Sequence, residues 1–196
     1  MTTRKTFTLL TVAAVFAGVV WHLGADEKTH KLTTVSIRKM ADSLHAVIAA
    51  DRQAYAELIE QRLAAGAKRA PTTARVREVD GLLVHAQFLR HAAQSIQKKG
   101  AEFSYTLRSL TPINTNNGPQ SEVEQMGLEF AAKHPDEAYY AEEELGGRSY
   151  FTAVYADHAT LTSCVDCHNQ QTGSPRRDYK VGDVMGAIVV RVPLEF

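Results

Sequence analysis

The feature that most constrains this chain is a cluster of three ligand-type side chains near its C-terminal end. Cys164, Cys167 and His168 form a C-x-x-C-H motif that uses the only two cysteines among the 196 residues. This spacing places two thiols where they can bond to the two vinyl groups of one haem, followed by an imidazole that can bind its iron. The motif predicts one covalently attached haem c, with His168 as an axial ligand.

Three other uses of the same residues are open. A structural disulfide between Cys164 and Cys167 would close a very short loop and add little stability. A thioredoxin-like redox pair is expected after an early strand, whereas this motif lies late in the chain with a histidine directly behind it. A zinc site would lack ligands, since no second C-x-x-C completes a tetrahedron. Haem attachment is the favoured interpretation.

The composition is that of one modest globular domain with an appendage, because 196 residues with 44% hydrophobic content exceed what a single core requires. The 22 lysines and arginines equal the 22 aspartates and glutamates. Such a balance produces no net field that would attract nucleic acid or an acidic membrane surface. We therefore expect no nucleic-acid partner.

The appendage is at the N-terminus. Arg4 and Lys5 precede an uncharged apolar run over residues 6–23, the pattern of an export signal. The run is close to the length of a spanning helix, and no A-x-A cleavage site lies nearby, so we expect it to be retained as an anchor. We predict a signal-anchor over residues 1–25 and a domain over residues 26–196 at the periplasmic face of the cytoplasmic membrane. Cleavage, which would leave a periplasmic protein, is the alternative.

Hydrophobic periodicity predicts an α+β fold. Apolar residues recur at helical spacing over residues 34–65 and 82–96, and Ser121 with Glu124 has the spacing of a capping box that opens a third helix. Residues 101–110 alternate apolar or aromatic with polar residues, as a strand does, and residues 148–156 and 184–192 are also predicted to be strands. An acidic turn is expected at residues 142–147. Helices followed by an antiparallel sheet define the class as α+β.

The position of the motif argues against the all-helical cytochrome c fold. An ordinary small cytochrome c carries C-x-x-C-H near its beginning and a methionine ligand far downstream. Here the motif comes late, and Met185 is the only methionine that follows it. Strand-like sequence lies on both sides of the motif, so we expect a different fold.

Four segments carry a resemblance to a known family: FLRHAAQSIQKKG, SLTPINTNNGP, YFTAVYADHATLTSCVDCHN and SPRRDYKVGDVMGAIVVRVPL. They resemble the successive blocks of a bacterial family of exported c-haem domains with a PAS-like fold, long catalogued as a domain of unknown function. The resemblance covers about residues 30 to 196. It implies a PAS-like antiparallel sheet with flanking helices, a long N-terminal helix packed on it, and a haem held between sheet and helices.

The sixth ligand of the iron is left open by the sequence. Six side chains are candidates: His45, His85, His91, His158, Met126 and Met185. We rank His45 first because it lies near the apolar face of the long helix, followed by His91 and then His85, with an open or water-filled site as a further alternative. Methionines more often fill gaps in a core.

Two arginines are candidates for binding the haem propionates. Arg90 and Arg176 lie in segments that carry the family resemblance. The planar guanidinium of arginine is suited to pairing with carboxylates. We therefore include both residues in the predicted cofactor site.

Two functions fit this prediction. The first is a membrane-anchored monohaem cytochrome that transfers single electrons to a redox partner protein or membrane complex. The second is a haem-based redox or gas sensor acting on a separate signalling partner, since the chain ends at Phe196 without a kinase or cyclase module. We predict no enzyme, because the sequence offers no defined distal acid–base set. The sequence indicates no particular oligomeric state.

Overall fold

The structure, a computed structural model, describes residues 34–67, 78–79 and 82–195. Four α-helices lie in these ranges: α1 (Ile37–Ala64), α2 (His85–Lys98), α3 (Glu122–Lys133) and α4 (Thr162–Gln170). Six strands accompany them: β1 (Glu78–Val79), β2 (Leu82–Leu83), β3 (Ser104–Arg108), β4 (Tyr139–Leu145), β5 (Arg148–His158) and β6 (Val184–Pro193). A 3₁₀ turn, Thr115–Asn117, precedes α3.

The centre of the fold is a four-stranded antiparallel sheet in the order β3-β6-β5-β4. β1 and β2 form a separate short antiparallel pair. β6 is a central strand, and its residues 186–193 are all buried, as expected for a strand covered on both faces. Helices on both faces of an antiparallel sheet confirm the predicted α+β class.

Each face of the sheet has its own hydrophobic core. One core lies between the sheet and the helices α1 and α2, and its buried members are Ala41, Ile48, Leu89, Tyr105, Ala153, Tyr155, Ile188, Val190 and Val192. The other lies between the sheet and α3, with Leu128, Val154, Ala187 and Val189. Successive residues of β6 alternate between the two cores because side chains along a strand point to opposite faces.

The long helix α1 begins at a side-chain cap, since the Ser36 hydroxyl accepts a hydrogen bond from the Lys39 N–H at 3.3 Å. Gly66, with φ +88°, follows the helix where a left-handed residue commonly ends one. The helix is attached to the sheet by two hydrogen bonds, because the hydroxyls of Tyr140 and Tyr155 both donate to Asp42 Oδ1 at 2.7 Å. These contacts fix its position above the strands.

Helix α3 begins as the sequence predicts. The Ser121 hydroxyl accepts from the Glu124 N–H at 3.2 Å, and the Glu124 carboxylate accepts from the Gln120 N–H at 2.6 Å. One turn later, a Cβ on Gly127 would lie 2.5 Å from a methyl carbon of Val154. Glycine at this position therefore allows the helix to pack directly against the sheet.

A buried network of charges lies between α3 and the sheet. Glu124 is 0% exposed and pairs with Arg108 at 3.0 Å and with Arg191 at 2.8 Å. Arg191 also contacts Glu143 at 2.7 Å. Burial opposes the charge of Glu143, but hydrogen bonds from Ser121, Thr152 and Arg191 hold the pKa of its carboxyl below the ordinary value. The network joins three strands to one helix.

This network explains one error in the sequence analysis. Residues 142–145, expected to form an acidic turn, belong to strand β4, and the turn is confined to Gly146 and Gly147 between β4 and β5. The Glu143 side chain faces inward to Arg191 and Thr152 instead of water. Because its partners are distant in sequence, the acidic character of the segment concealed the strand.

The predicted anchor over residues 1–25 lies outside the described residues. In the part of the chain that the structure describes, no helix combines the length and the apolar character required to span a bilayer.

We predict that Glu124→Gln lowers the free energy of unfolding by about 3–5 kcal/mol, because it leaves the Arg108 guanidinium without a carboxylate and removes one of the two carboxylates paired with buried Arg191. Urea unfolding followed by circular dichroism measures this change. Glu129→Gln, on the exposed face of the same helix, is the matched control and should change stability by less than about 0.5 kcal/mol. Equal effects of the two substitutions would contradict a structural role for the network.

Candidate functional site

The C-x-x-C-H motif lies on the nine-residue helix α4. Cys164 and Cys167 are three residues apart, so they lie one turn apart on the same side of the helix. Both are free thiols; Cys164 is 2% exposed and Cys167 is half-buried. Burial raises the pKa of the Cys164 thiol. Within the described ranges, no group of three or more His, Cys, Asp or Glu side chains is arranged to hold a metal ion.

Contacts at both ends hold α4 in place. At its N-terminus, the backbone N–H of Ser163 donates to the carboxylate of Glu60 on α1 at 3.2 Å, a favourable site for negative charge. Near its C-terminus, the Asn169 side chain accepts from the Tyr179 N–H at 3.0 Å and donates to the Tyr179 carbonyl at 2.9 Å. The Tyr179 ring meets His168 edge-on, with centroids 5.8 Å apart. The motif is therefore held between the long helix and the segment before β6.

A cavity of about 520 Å³ adjoins this helix and is partly open to solvent. Cys167 and His168 lie on its wall. Its apolar lining comes from α1, β3 and neighbouring segments, namely Ile59, Leu63, Val84, Leu107, Pro112, Ile113 and Met185. Its polar lining includes Arg52, His85, Asn114, Thr115, Asn117 and Asp157. A volume of this size falls within the range of about 300–1,000 Å³ that is typical of ligand and cofactor pockets.

A buried ion pair is part of the cavity lining. Arg52 on α1 and Asp157 on β5 are 4% and 8% exposed, and their nearest atoms are 2.8 Å apart. A second Arg52 nitrogen donates to Asp157 Oδ2 at 3.0 Å and to the His158 carbonyl at 3.4 Å. Burial raises the pKa of the Asp157 carboxyl, and the Arg52 guanidinium opposes that shift.

The sequence analysis did not identify this pair. A signal for Arg52 was present, because it stands four residues after Ile48 and four before Ala56 in the buried stripe of α1. A cation on an apolar helical face requires a buried partner. No comparable signal marks Asp157, whose partner lies 105 residues away in sequence.

The sheet is irregular where it borders the cavity. The register of β5 against β6 shifts between Asp157 and His158, which leaves Met185 as the extra residue of a β-bulge. At the next position, a Cβ on Gly186 would lie 2.3 Å from the Arg108 carbonyl oxygen. Only glycine allows β3 and β6 to approach this closely beside the cavity.

His85 lies on the cavity wall with His168. It is the first residue of α2 and follows β2, whose Leu83 carbonyl accepts a hydrogen bond from the Tyr55 hydroxyl of α1 at 2.7 Å. Burial lowers the pKa of His85 to about 3, and the nearby charges of Arg52 and His168 act in the same direction. The imidazole is therefore neutral at pH 7, the form in which histidine binds metals.

His45, ranked first as a ligand from sequence, does not line this cavity. Its ring stacks on Tyr155 with centroids 3.8 Å apart, and it borders a separate cavity of about 460 Å³ with Arg38 and Tyr140. The separation follows from helix geometry, because His45 precedes Arg52 by seven residues, or about 10 Å along α1. Residues of the one long helix α1 therefore line two different cavities.

Three other candidate ligands also lie outside the lining of the cavity that contains His168. His91 is exposed on α2, and Met126 is exposed on α3. His158 lies on β5 and its Nδ1 is 2.9 Å from the Gly182 carbonyl oxygen. Met185 lines the cavity, so His85 and Met185 are the two candidates that the structure brings to His168.

The two predicted propionate partners lie outside the cavity lining. Arg90 borders a smaller neighbouring cavity of about 300 Å³ and donates a hydrogen bond to Asn117, which lines both cavities. Arg176 pairs with Asp178 at 2.7 Å and with Asp183 at 3.1 Å, and its guanidinium lies 4.2 Å from the centre of the Tyr179 ring. Arg176 therefore supports the segment that contacts His168. A role of these two arginines in binding the propionates stays a prediction.

Together these features define an α+β domain with helices on both faces of the sheet and a C-x-x-C-H helix beside a cavity. The chain belongs to the Tll0287-like family, whose model matches residues 30–193. This confirms the family resemblance drawn from the sequence.

Among solved structures, the chain is similar to the cyanobacterial heme-protein Tll0287. The two share 18% sequence identity, and the match covers 78% of this chain and 96% of that chain with a TM-score of 0.48. The search of curated proteins gives no significant match.

We predict that Arg52→Met and Asp157→Leu each lower the free energy of unfolding by about 3–5 kcal/mol, because each leaves the other charge buried and unpaired. The double variant should lose much less than the sum of the two, since no charge remains uncompensated. Urea titrations of all four proteins measure the coupling. Strictly additive losses would show that the two residues do not depend on each other.

Proposed function

We propose that this chain binds one haem covalently through Cys164 and Cys167, with His168 as an axial ligand. The observation that carries the proposal is the position of the motif, since Cys167 and His168 line a cavity of cofactor size. Both thiols are free for thioether formation. The preceding thiol, Cys164, lies on the same side of α4 one turn earlier.

The cavity suits a macrocycle that is apolar over most of its area and carries two carboxylates at one edge. Aliphatic side chains such as Ile59, Leu63 and Leu107 form the apolar lining. The 3₁₀ turn contributes polar residues, among them Thr115 and Asn117. Arg52 is already paired with Asp157, so its guanidinium gives the described lining a compensated charge rather than a free cation.

We propose one-electron transfer as the activity. A bound haem supplies an iron that takes up one electron on passing from ferric to ferrous and returns it to an acceptor. The chain's own residues hold the site rigid: Glu60 fixes the start of α4, and Asn169 fixes its end to Tyr179. The cavity is partly open to solvent, which would give a redox partner protein or membrane complex access to the cofactor edge. The proposal assigns no catalysed reaction.

A sensor is the second candidate, and one feature of the structure favours it. The long helix α1 reaches the cavity directly, because Arg52 pairs with Asp157 and Glu60 caps α4. A change at the iron that altered these contacts would act on a 28-residue helix and could be transmitted to a separate signalling partner. In an electron carrier the iron would not bind an external ligand such as carbon monoxide, whereas in a gas sensor it would.

We predict that holoprotein from a host competent in c-type maturation contains one haem per chain by the pyridine haemochrome assay. It should titrate reversibly as a one-electron couple, and its reduced spectrum should not change under carbon monoxide. The Cys164→Ser/Cys167→Ser double variant should lose covalent haem, whereas the control His91→Ala, at an exposed position of α2, should retain it. Absence of haem from the wild type would refute the proposal. Rapid binding of carbon monoxide by loaded protein would favour the sensor.

We further propose that residues 1–25 hold the domain at the periplasmic face of the cytoplasmic membrane. The support is the basic pair Arg4 and Lys5 ahead of an uncharged apolar run. An alkaline phosphatase fusion after residue 33 should be active and should fractionate with membranes. An inactive fusion would rule out export, and an active fusion in the soluble periplasmic fraction would show that the segment is cleaved.

A further inference from the structure

His85 differs from the other half-buried histidines of the described chain in the contacts that its side chain makes. It lines the same cavity as His168 but belongs to a different element, the first turn of α2. Among the described residues, no group forms a hydrogen bond, ion pair or ring contact with its imidazole. The comparable histidines are engaged, since His45 stacks on Tyr155 and His158 contacts the Gly182 carbonyl.

The His85 imidazole is half-buried, on the wall of a cavity that is partly open to solvent. Each ring has two nitrogens, and the neutral form has one donor and one acceptor that water would otherwise satisfy. The cavity is the space that His85 shares with His168 and Cys167. A metal centre held in that cavity would supply the partner that the acceptor nitrogen lacks.

We propose that His85 is the second axial ligand of the haem held by Cys164, Cys167 and His168. This inference rests on the proposed function and deepens it, because it makes both axial ligands imidazoles from this chain. Two histidines would saturate the iron, keep it low-spin and lower its reduction potential relative to histidine–methionine ligation. The site would then be a carrier of electrons closed to exogenous gases.

Met185 is the alternative within the same cavity. It lies in the β-bulge of β6, where its carbonyl accepts a hydrogen bond from the Ser109 hydroxyl at 2.7 Å. Its thioether is a weak acceptor that can be buried as a gap-filling apolar group without a partner. A neutral imidazole is the commonest metal ligand among protein side chains, and His85 shares the cavity with His168, so His85 is the better assignment. His45 is excluded because it borders a different cavity.

The proposal also gives the segment before α2 a function. The Tyr55 hydroxyl donates to the Leu83 carbonyl at 2.7 Å, which ties the chain two residues before His85 to α1. The Tyr55 ring stacks on Phe88 of α2 with centroids 4.1 Å apart. These contacts position the first turn of α2, and with it His85, relative to the cavity. Tyr55 and Phe88 are positioning residues in this account.

The test uses full-length holoprotein matured in a c-type competent host, and it begins with the wild type. Covalent haem is counted by the pyridine haemochrome assay, and the ferric protein is then examined by low-temperature electron paramagnetic resonance and near-infrared circular dichroism. We expect a fully low-spin iron with the near-infrared band of two imidazoles. A methionine charge-transfer band or a high-spin wild-type spectrum would overturn the proposal without any variant.

Substitution then identifies the residue. His85→Ala should convert the iron to high-spin and change carbon monoxide binding from undetectable to one per haem, and added imidazole should restore the low-spin spectrum. His85→Met should remain loaded and shift the reduction potential upward. The matched control His45→Ala, at the other cavity, should leave the spectra unchanged. Met185→Leu, in the same cavity as His85, should keep the iron low-spin.

The outcomes separate the two proposals. A wild type without covalent haem refutes the proposed function and this inference with it. A wild type that carries haem, together with a His85→Ala variant that keeps its low-spin spectrum, refutes the inference alone. A changed spin state in Met185→Leu or His45→Ala would then identify the other ligand. Restoration of the His85→Ala spectrum by imidazole distinguishes loss of a ligand from general misfolding.

Discussion

The geometry of the site depends on the ion pair between Arg52 and Asp157. Arg52 comes from the long helix and Asp157 from the strand beside the central one, so the pair joins α1 to the sheet at the edge of the cavity. Both groups are almost completely buried, and each is stable there only because the other compensates its charge. An apolar pair would join the same elements without that mutual dependence, and the helix would be less strictly held in register with the strand.

The remaining parts of the site are arranged around that connection. Two turns further along α1, Glu60 caps the helix that carries the C-x-x-C-H motif. Near the C-terminal end of that helix, the Asn169 side chain hydrogen-bonds to the backbone of Tyr179, whose ring contacts His168. The close approach of β3 and β6 at Gly186 completes the wall. The cavity therefore forms from chain segments that are distant in sequence.

The fold was largely predictable because it follows local rules. The buried face of α1, the cap of α3 at Ser121 and the apolar run of β6 are all signals within a few residues. The site was less predictable because its partners are distant in sequence. His45 and Arg52 lie on one apolar face, and the sequence does not show which of them faces the motif. Glu143 shows the same difficulty. Its carboxylate faces the interior because it pairs with Arg191, which is 48 residues away in sequence.

The most direct test of the central claim is the mass of the tryptic peptide that spans residues 149–176 in holoprotein from a maturation-competent host. The account predicts a peptide that carries the added mass of one haem, with Cys164 and Cys167 both protected from alkylation and fragments that localise the haem between them. An unmodified peptide with two alkylated cysteines would contradict it.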